Sequence, residues 1–279
     1  FKIISRKFAY NFLIILIYQT KIIKKYIYKL KKIVKEPMLS ISFIIPCYNG
    51  ERFIFSNIKK FTKEIKNFKI NYEIIIINDG STDKTSTKLD KLQKIYKKIK
   101  FLHFKKNYGK SFSIRKGLDL CKFKHIILLD ADLPYFSYIN QIVFELKKGT
   151  DLVIVDRNHP LSFLTNKPLS RYQFFRKNIG ILISKIIFYI LNLHLGAIDT
   201  QAGLKGFKKT KQFNKNKFIS KKFFLDIELI YLFKKMNKKI SSIPVKYKIE
   251  ENSTINLISI QNIQIIFDFI KVLVHLKFK

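Results

Sequence analysis

The chain has 279 residues, 47% of them hydrophobic, and its 55 Lys and Arg against 19 Asp and Glu give a formal net charge of +36. The length suits one large domain, or one domain with an appendage, and the apolar content suffices for a real core. The charge attracts phosphates of any kind, including an anionic lipid surface, but there is no zinc-finger spacing, aromatic RNA-recognition pattern or helix-turn-helix signature, and Lys is interleaved with Ile, Phe and Asn throughout, so no nucleic-acid partner is expected.

In chain order, residues 1–36 alternate apolar and Lys-rich runs (FAYNFLIILIYQTKIIKKYIYKLKKIVKE). They predict an amphipathic, basic helix that either lies in a membrane interface or packs on the domain; both readings stay open. The run Phe8–Tyr18 is interrupted by Asn11, and no stretch reaches the roughly 18–20 apolar residues of a membrane span. A truncated span, a signal-like segment or a segment ahead of Phe1 stays open too. Pro37 marks a boundary.

Ile41–Ile45 predicts a strand stopped by Pro46, with CYNG as a turn and a helix from Glu51 to about Lys66. Tyr72–Ile77 (YEIIII) predicts a second buried strand, ending in Asn78-Asp79-Gly80-Ser81-Thr82-Asp83 and followed by a helix to about Lys97. Phe101–Phe104 predicts a third strand, then a loop through Asn107, Gly109 and Lys110 and a helix from Ser111 to about Cys121. His125–Leu133 (HIILLDADL) carries a fourth strand into Asp130-Ala131-Asp132, and a helix to Lys148 and a strand Asp151–Val155 follow. Strand and helix alternate at roughly 25-residue spacing, which predicts an α/β fold with a parallel sheet covered on both faces.

The second half is less regular. It reads as a loop Asn158–Ser170 with two prolines, a helical stretch Arg171–Leu193 that is strongly apolar from Ile179 to Leu195, and a polar break Asp199-Thr200-Gln201-Ala202-Gly203. A helix Asp226–Met236, a strand Ser241–Ile249 and a last helix Ile255–Phe278 complete it.

Ligands of such sheets bind at the carboxyl ends of the strands, which here carry Tyr48, Asp79, Asp130 and Asp132. Side chains alternate along an extended chain, so Asp130 and Asp132 are expected on one face of the strand end. Two carboxylates there are costly unless a positive charge sits between them. A divalent cation carrying a nucleotide diphosphate supplies it; a solvated turn is the alternative. Arg occurs six times (Arg6, Arg52, Arg115, Arg157, Arg171, Arg176), three times between positions 157 and 176. Where Lys is so strongly preferred, that grouping marks a candidate phosphate clamp, with chance clustering as the alternative. Cys47 and Cys121 make no metal spacing and are expected as buried apolar residues.

ISFIIPCYNG, YEIIIINDGSTD, KKNYGKSFSIRKGL and HIILLDADL, in that order, resemble segments of family 2 glycosyltransferases with the GT-A fold. DTQAGLKGF and FFLDIELIY resemble the branch that transfers a sugar to dolichyl or polyprenyl phosphate, especially the dolichyl-phosphate glucosyltransferases. The resemblance implies a mostly parallel, Rossmann-like sheet flanked by helices. It divides the chain into an amphipathic N-terminal helix 1–36, a transferase domain 37–250 and an amphipathic C-terminal helix 251–279.

Carried over by position, it implies that Pro46, Tyr48, Asn49, Asp79, Lys110, Arg115, Asp130, Asp199 and Gln201 bind a nucleotide sugar, with Asp79 at the base or ribose. Asp130 and Asp132 would hold Mg²⁺ or Mn²⁺ against the diphosphate. The catalytic set would be Asp132, Arg157 and Arg176 near the acceptor phosphate, and Asp226 and Glu228 as acids facing the site; Gly203 would shape the sugar side. A solvated helix start stays open for Lys110, and a favourable helix N-terminal turn for Asp226 and Glu228. The chain departs from the family pattern at Gly50 (usually Glu), Ser111 (usually Gly), Asn78 (often Asp) and Asp156 (a small residue expected), the last putting the local clamp in doubt.

The expected reaction is inverting transfer of a hexose to a polyprenyl phosphate at the cytoplasmic face of a membrane, with UDP-glucose the first choice of donor and GDP-mannose the second. The basic charge would hold the protein on an anionic leaflet. One alternative is transfer to a saccharide hydroxyl, with Asp226 or Glu228 as general base. Another is a basic membrane- or nucleic-acid-binding non-enzyme on the same scaffold, against which the intact Asp79, Asp130 and Asp132 speak.

Overall fold

A strand that is apolar at every position has no face to give to water, and the Ile-rich runs accordingly lie in the middle of a sheet covered on both sides. In the computed structural model of the chain, residues 20–21, 23–25, 38–165, 168–193, 199–249 and 260–278 are described. Contacts divide the chain into two compact units, Phe1–Met38 and Leu39–Lys279. In the first, residues 20–21 and 23–25 are helical; the rest of the expected N-terminal helix lies outside the described residues, as do residues 255–259 of the expected last helix.

In the second unit, β1 (Ser40–Cys47), β2 (Asn71–Asn78), β3 (Ile99–His103) and β4 (His125–Leu128) pair in parallel in the order β3-β2-β1-β4. Their parity sorts the core. Phe43, Ile45, Ile74 and Ile76 pack under α1 (Ile54–Ile65), α2 (Thr85–Ile95) and α4 (Ile139–Lys147). Ile44, Ile75 and Ile77 face the other way, onto α3 (Lys110–Leu120), α5 (Arg171–Ile190), α6 (Leu225–Lys235) and α7 (Ile260–Lys277).

Pro46 does not stop β1, which pairs with β2 through Cys47. Ile44 turns its carbonyl to the β4 side, where it accepts from the Leu129 amide at 3.0 Å. Pro46 shares that parity, and the β4 ladder has already ended at Ile44↔Leu128, so the missing proline N–H costs no ladder bond.

The sheet is not wholly parallel. β7 (Lys205–Lys208), a strand not expected from the sequence, runs antiparallel between β4 and β5 (Leu152–Asp156), and β8 (Ile240–Pro244) closes the edge parallel to β5. β7 is four residues long and carries Gly206, where a Cβ would collide with Ile142 of α4; such a strand has no apolar run to announce it. The expected loop Asn158–Ser170 contains β6 (Phe163–Leu164), which pairs with β9 (Lys246–Tyr247) as a separate ribbon. The expected strand Ser241–Ile249 is thereby split in two. Ser170 opens α5 with a capping box: its hydroxyl accepts from the Gln173 amide and the Gln173 side chain accepts from the Ser170 N–H. Among the described residues no helix is long and apolar enough to cross a membrane.

Candidate active site

At the carboxyl rim β4 runs out at Leu128, and Asp130–Leu133 is a turn closed by the Leu133 amide on the Asp130 carbonyl at 3.0 Å. Leu133 takes the left-handed φ of 55°. Asp130 and Asp132 therefore do not alternate along an extended strand, as expected from the sequence; they stand on a turn. Asn57 of α1 donates to the Ala131 carbonyl at 3.1 Å and holds the turn from outside. Asp130 is half-buried and Asp132 exposed.

Charges alternate inward from this turn. Lys110, the first residue of α3, is ion-paired with Asp130. Burial alone would push its ammonium down, but Asp130, with Asp226 and Asp132 behind it, holds it above the usual lysine value. Asp226, in the first turn of α6, pairs with the fully buried Lys205 of β7 at 3.1 Å. Lys205 also donates to the Ala202 carbonyl. The Asp130 carboxylate lies directly on Gly203, where there is no room for a Cβ.

Lys110 reaches Asp130 because Asp79 shapes the loop before it. The buried Asp79 carboxylate accepts from the Tyr108 amide at 2.9 Å and the Gly109 amide at 2.8 Å. Gly109 has φ 102°, open to glycine, and a Cβ would strike the Lys221 carbonyl. Asp79, expected at the base or ribose, thus turns both oxygens to the loop between β3 and α3. Asn49 ties the turn after β1 to the next loop, donating from its amide to Ser81 Oγ (2.9 Å) and accepting from the Thr82 amide (2.9 Å); Tyr48 beside it is exposed.

Three of the departures from the family pattern have local reasons. A side chain at Gly50 would strike Cys47 Sγ at 2.6 Å. Ser111 is buried with its hydroxyl bonded to Ser220 and the Leu225 amide, both at 3.1 Å. Asn78 donates to Ser86 Oγ at 2.7 Å and accepts from the Ser81 amide at 3.1 Å.

The second station is at the other end of the Asp199–Gly203 loop. Arg157 grips Asp199 with two parallel bonds, Nε to Oδ2 and Nη2 to Oδ1, the latter at 3.0 Å. Asp199 is buried while Arg157 is about one third exposed (36%). Burial would raise the Asp199 carboxyl, and the guanidinium overrides it and holds it below the usual range. The fourth departure, Asp156, supports this pair: its Oδ1 accepts from the amides of Asp199 (3.0 Å) and Asn158 (2.9 Å). Gln201 is exposed beside it, its amide bonded to Asp199 Oδ1 at 2.8 Å. Tyr135 and Tyr247 lie within the field of the pair; burial pushes the Tyr135 hydroxyl up to about 12, against the pull of Arg157.

Two expected site residues point elsewhere. Arg115 donates to the Phe218 carbonyl and lies over the Phe112 ring. Glu228 is buried and accepts from the Ile219 amide at 2.6 Å and the Ser220 amide at 3.2 Å. Both brace the 218–220 loop; Glu228 does so because positions two apart on a helix do not share a face and α6 already turns Asp226 toward Lys205. Arg176 is in α5, with its side chain outside the described residues. Lys205, Tyr135 and Tyr247 escaped the sequence reading. A signal existed for Lys205 alone, as a lysine between Leu204 and Gly206-Phe207, which calls for a buried acid.

The model of the family described as Glycosyl transferase family 2 matches residues 42–205. The chain is 29% identical over 252 residues to a Dictyostelium discoideum protein named dolichyl-phosphate beta-glucosyltransferase, covering 83% of this chain and 73% of that one. It is 33% identical over 147 residues to CsbB of Bacillus subtilis, covering 50% of this chain but only 44% of that protein. In fold it resembles Mycobacterium tuberculosis glucosyl-3-phosphoglycerate synthase, solved in complex with Mn²⁺, UDP and phosphoglyceric acid, with TM-score 0.59 and 16% identity over 84% of this chain and 78% of that one.

Proposed function

The chain belongs to glycosyl transferase family 2, and from that premise we propose that it transfers a hexose, with inversion, from a nucleotide sugar to a polyprenyl phosphate. One observation carries the reading: the rim holds an acidic station, with Asp130 against Gly203 and Asp132 on the same turn, and a basic one, with Arg157 against Asp199, at the two ends of the Asp199–Gly203 loop. A donor diphosphate with its cation needs the first and an acceptor phosphate the second. The resemblance to the Dictyostelium protein supports glucose and a dolichyl-type acceptor.

Two carboxylates on one turn suit a hard cation whose other ligands are phosphate oxygens and water. Among the described residues no group of three or more His, Cys, Asp or Glu converges, so in this reading Asp130 and Asp132 hold Mg²⁺ or Mn²⁺ together with the donor. When bound there, the ion supplies charge neutralisation for the leaving nucleoside diphosphate. Lys110 adds a fixed positive charge beside Asp130, pre-organised against the same developing charge. A phosphate monoester is largely dianionic at neutral pH, its second pKa being about 6, so the acceptor needs orientation more than deprotonation. Arg157 gives two N–H groups to Asp199 and offers the rest of its fork to the acceptor phosphate. Asp226, fixed by Lys205, screens Lys110 and Lys205 from each other.

A polyprenyl tail must be met at a lipid surface, where the net charge of +36 favours an anionic leaflet. Exposed Phe174, Phe175 and Tyr189 of α5 and Phe267 and Val274 of α7 are the apolar side chains offered for that contact. The terminal segments 1–36 and 251–279 are proposed as its anchors around the transferase domain 37–250. The test is a panel of radiolabelled nucleotide sugars with membranes containing polyprenyl phosphate. A lipid product that releases its sugar in mild acid supports the reading. An acid-stable product would instead indicate a saccharide hydroxyl as acceptor.

A further inference from the structure

The segment matched to the family ends at residue 205, yet a carboxylate far beyond it is bonded into the scaffold of the donor station. Asp268 of α7 accepts from Ser220 Oγ at 2.9 Å, the Lys221 amide at 3.1 Å and the Lys222 amide at 3.0 Å. The same three residues receive the start of α3. The Lys222 carbonyl accepts from the Ser111 amide at 2.8 Å, and the Lys221 carbonyl from the Phe112 amide at 3.1 Å. Ser111 and Ser220 join through their buried hydroxyls at 3.1 Å. The one hydroxyl proton of Ser220 goes to Asp268, so Ser111 is the donor of that bond. The helix itself is seated by buried Val272 and Leu276 and by Phe269, whose ring is 5.0 Å from that of Phe224.

The first N–H groups of an α-helix have no partner within the helix. In α3 the second and third residues take theirs from the 221–222 carbonyls, so the 220–222 loop sets the direction of the helix start. Lys110 is the residue before Ser111, and its stem leaves from that start toward Asp130.

We propose that Asp268 is a positioning residue for the transfer reaction: by holding the 220–222 loop it fixes the N-terminus of α3, and with it the Lys110 ammonium against Asp130. The inference rests on the reading of Asp130 and Lys110 as donor-site residues.

Three measurements test it. Amide hydrogen exchange on the full chain is expected to quicken at Ser111 and Phe112 in Asp268→Ala and, more mildly, in Asp268→Asn, which keeps one acceptor oxygen, while β1 and β2 amides keep their protection. In steady-state assays Asp268→Asn is expected to raise the donor KM on the order of tenfold, as loss of an outer-shell partner does, leaving the acceptor KM alone. In a Lys110→Ala background the same substitution is expected to add nothing to the Kd for UDP or GDP with Mg²⁺, since it has no ammonium left to place. Unchanged exchange at Ser111 and Phe112, or an equal loss of affinity with and without Lys110, overturns the proposal. If no donor is turned over by the unsubstituted chain, the functional reading fails while the exchange data still decide whether Asp268 holds α3.

Discussion

Gly203 lies against the carboxylate of Asp130, with no space for a Cβ between them. The Asp199–Gly203 loop thus sets the orientation of a carboxylate on the turn after β4, the strand that pairs with β7. Gly203→Ala is expected to displace Asp130 and to lower kcat about 100-fold, the usual cost of a misplacement near 1 Å. Its melting temperature should fall by only a few degrees, an effect of about 1 kcal/mol. A fully active Gly203→Ala protein would mean that Asp130 is not required where it stands.

Arg157 and Asp199 form a two-point pair that a lysine cannot reproduce. Arg157→Lys is expected to raise the acceptor KM about tenfold or more and to leave the donor KM near its original value. Arg157→Ala strands a buried carboxylate. Because the guanidinium is one third exposed, the cost is expected at about 2–3 kcal/mol, below the ~3–5 of a fully buried pair. Denaturant unfolding and substrate-varied kinetics separate the two effects.

Burial pushes the Glu228 carboxyl up to about 7, despite the loop amides it accepts from. A group whose folded pKa exceeds its unfolded one binds protons preferentially in the folded state. Its penalty is absent below the unfolded value of 4.5, grows as pH rises, and is complete above about 7. Glu228→Gln, which keeps an acceptor oxygen for the loop, is expected to become more stable relative to the unsubstituted protein between those limits, by on the order of 3 kcal/mol at the top. A pH-independent difference between the two unfolding curves would contradict the assignment. Activity should survive, since Glu228 faces away from the rim.

Asp226→Asn leaves Lys205 as a buried ammonium without its carboxylate. A loss of about 3–5 kcal/mol is expected. Adding Lys205→Met should recover most of that stability without recovering activity. Recovery of both would confine Asp226 to a structural role.

Chelation is expected to abolish transfer, and Mg²⁺ or Mn²⁺ to restore it. Asp132→Asn, at an exposed position of the 130–133 turn, should remove turnover with the melting temperature unchanged. An active Asp132→Asn enzyme would contradict the cation assignment.

The apolar runs alone determined the sheet from Ile41 to Val155 and its covering helices, because strands buried on both faces must be apolar throughout and the helices between them must be amphipathic. The Asp-Ala-Asp segment stood out from residue type and its place at a strand end, whereas the Asp199–Gly203 loop and the start of α6 entered the candidate site only through the family resemblance. Tertiary structure decided which way the side chains face. Asp226 and Glu228 are two apart on one helix, about 200° around it, so one meets Lys205 and the other the 219–220 amides. Asp79 is bonded to the loop between β3 and α3, and Asp130 and Asp132 stand on a turn instead of an extended strand. β7, too short and too polar to show a period, brings Lys205 to Asp226 only because β4 and β5 leave a gap for one antiparallel strand. Local periodicity fixes which face of an element is buried; which partner a charge finds there depends on elements far away in the chain, and no local pattern encodes that.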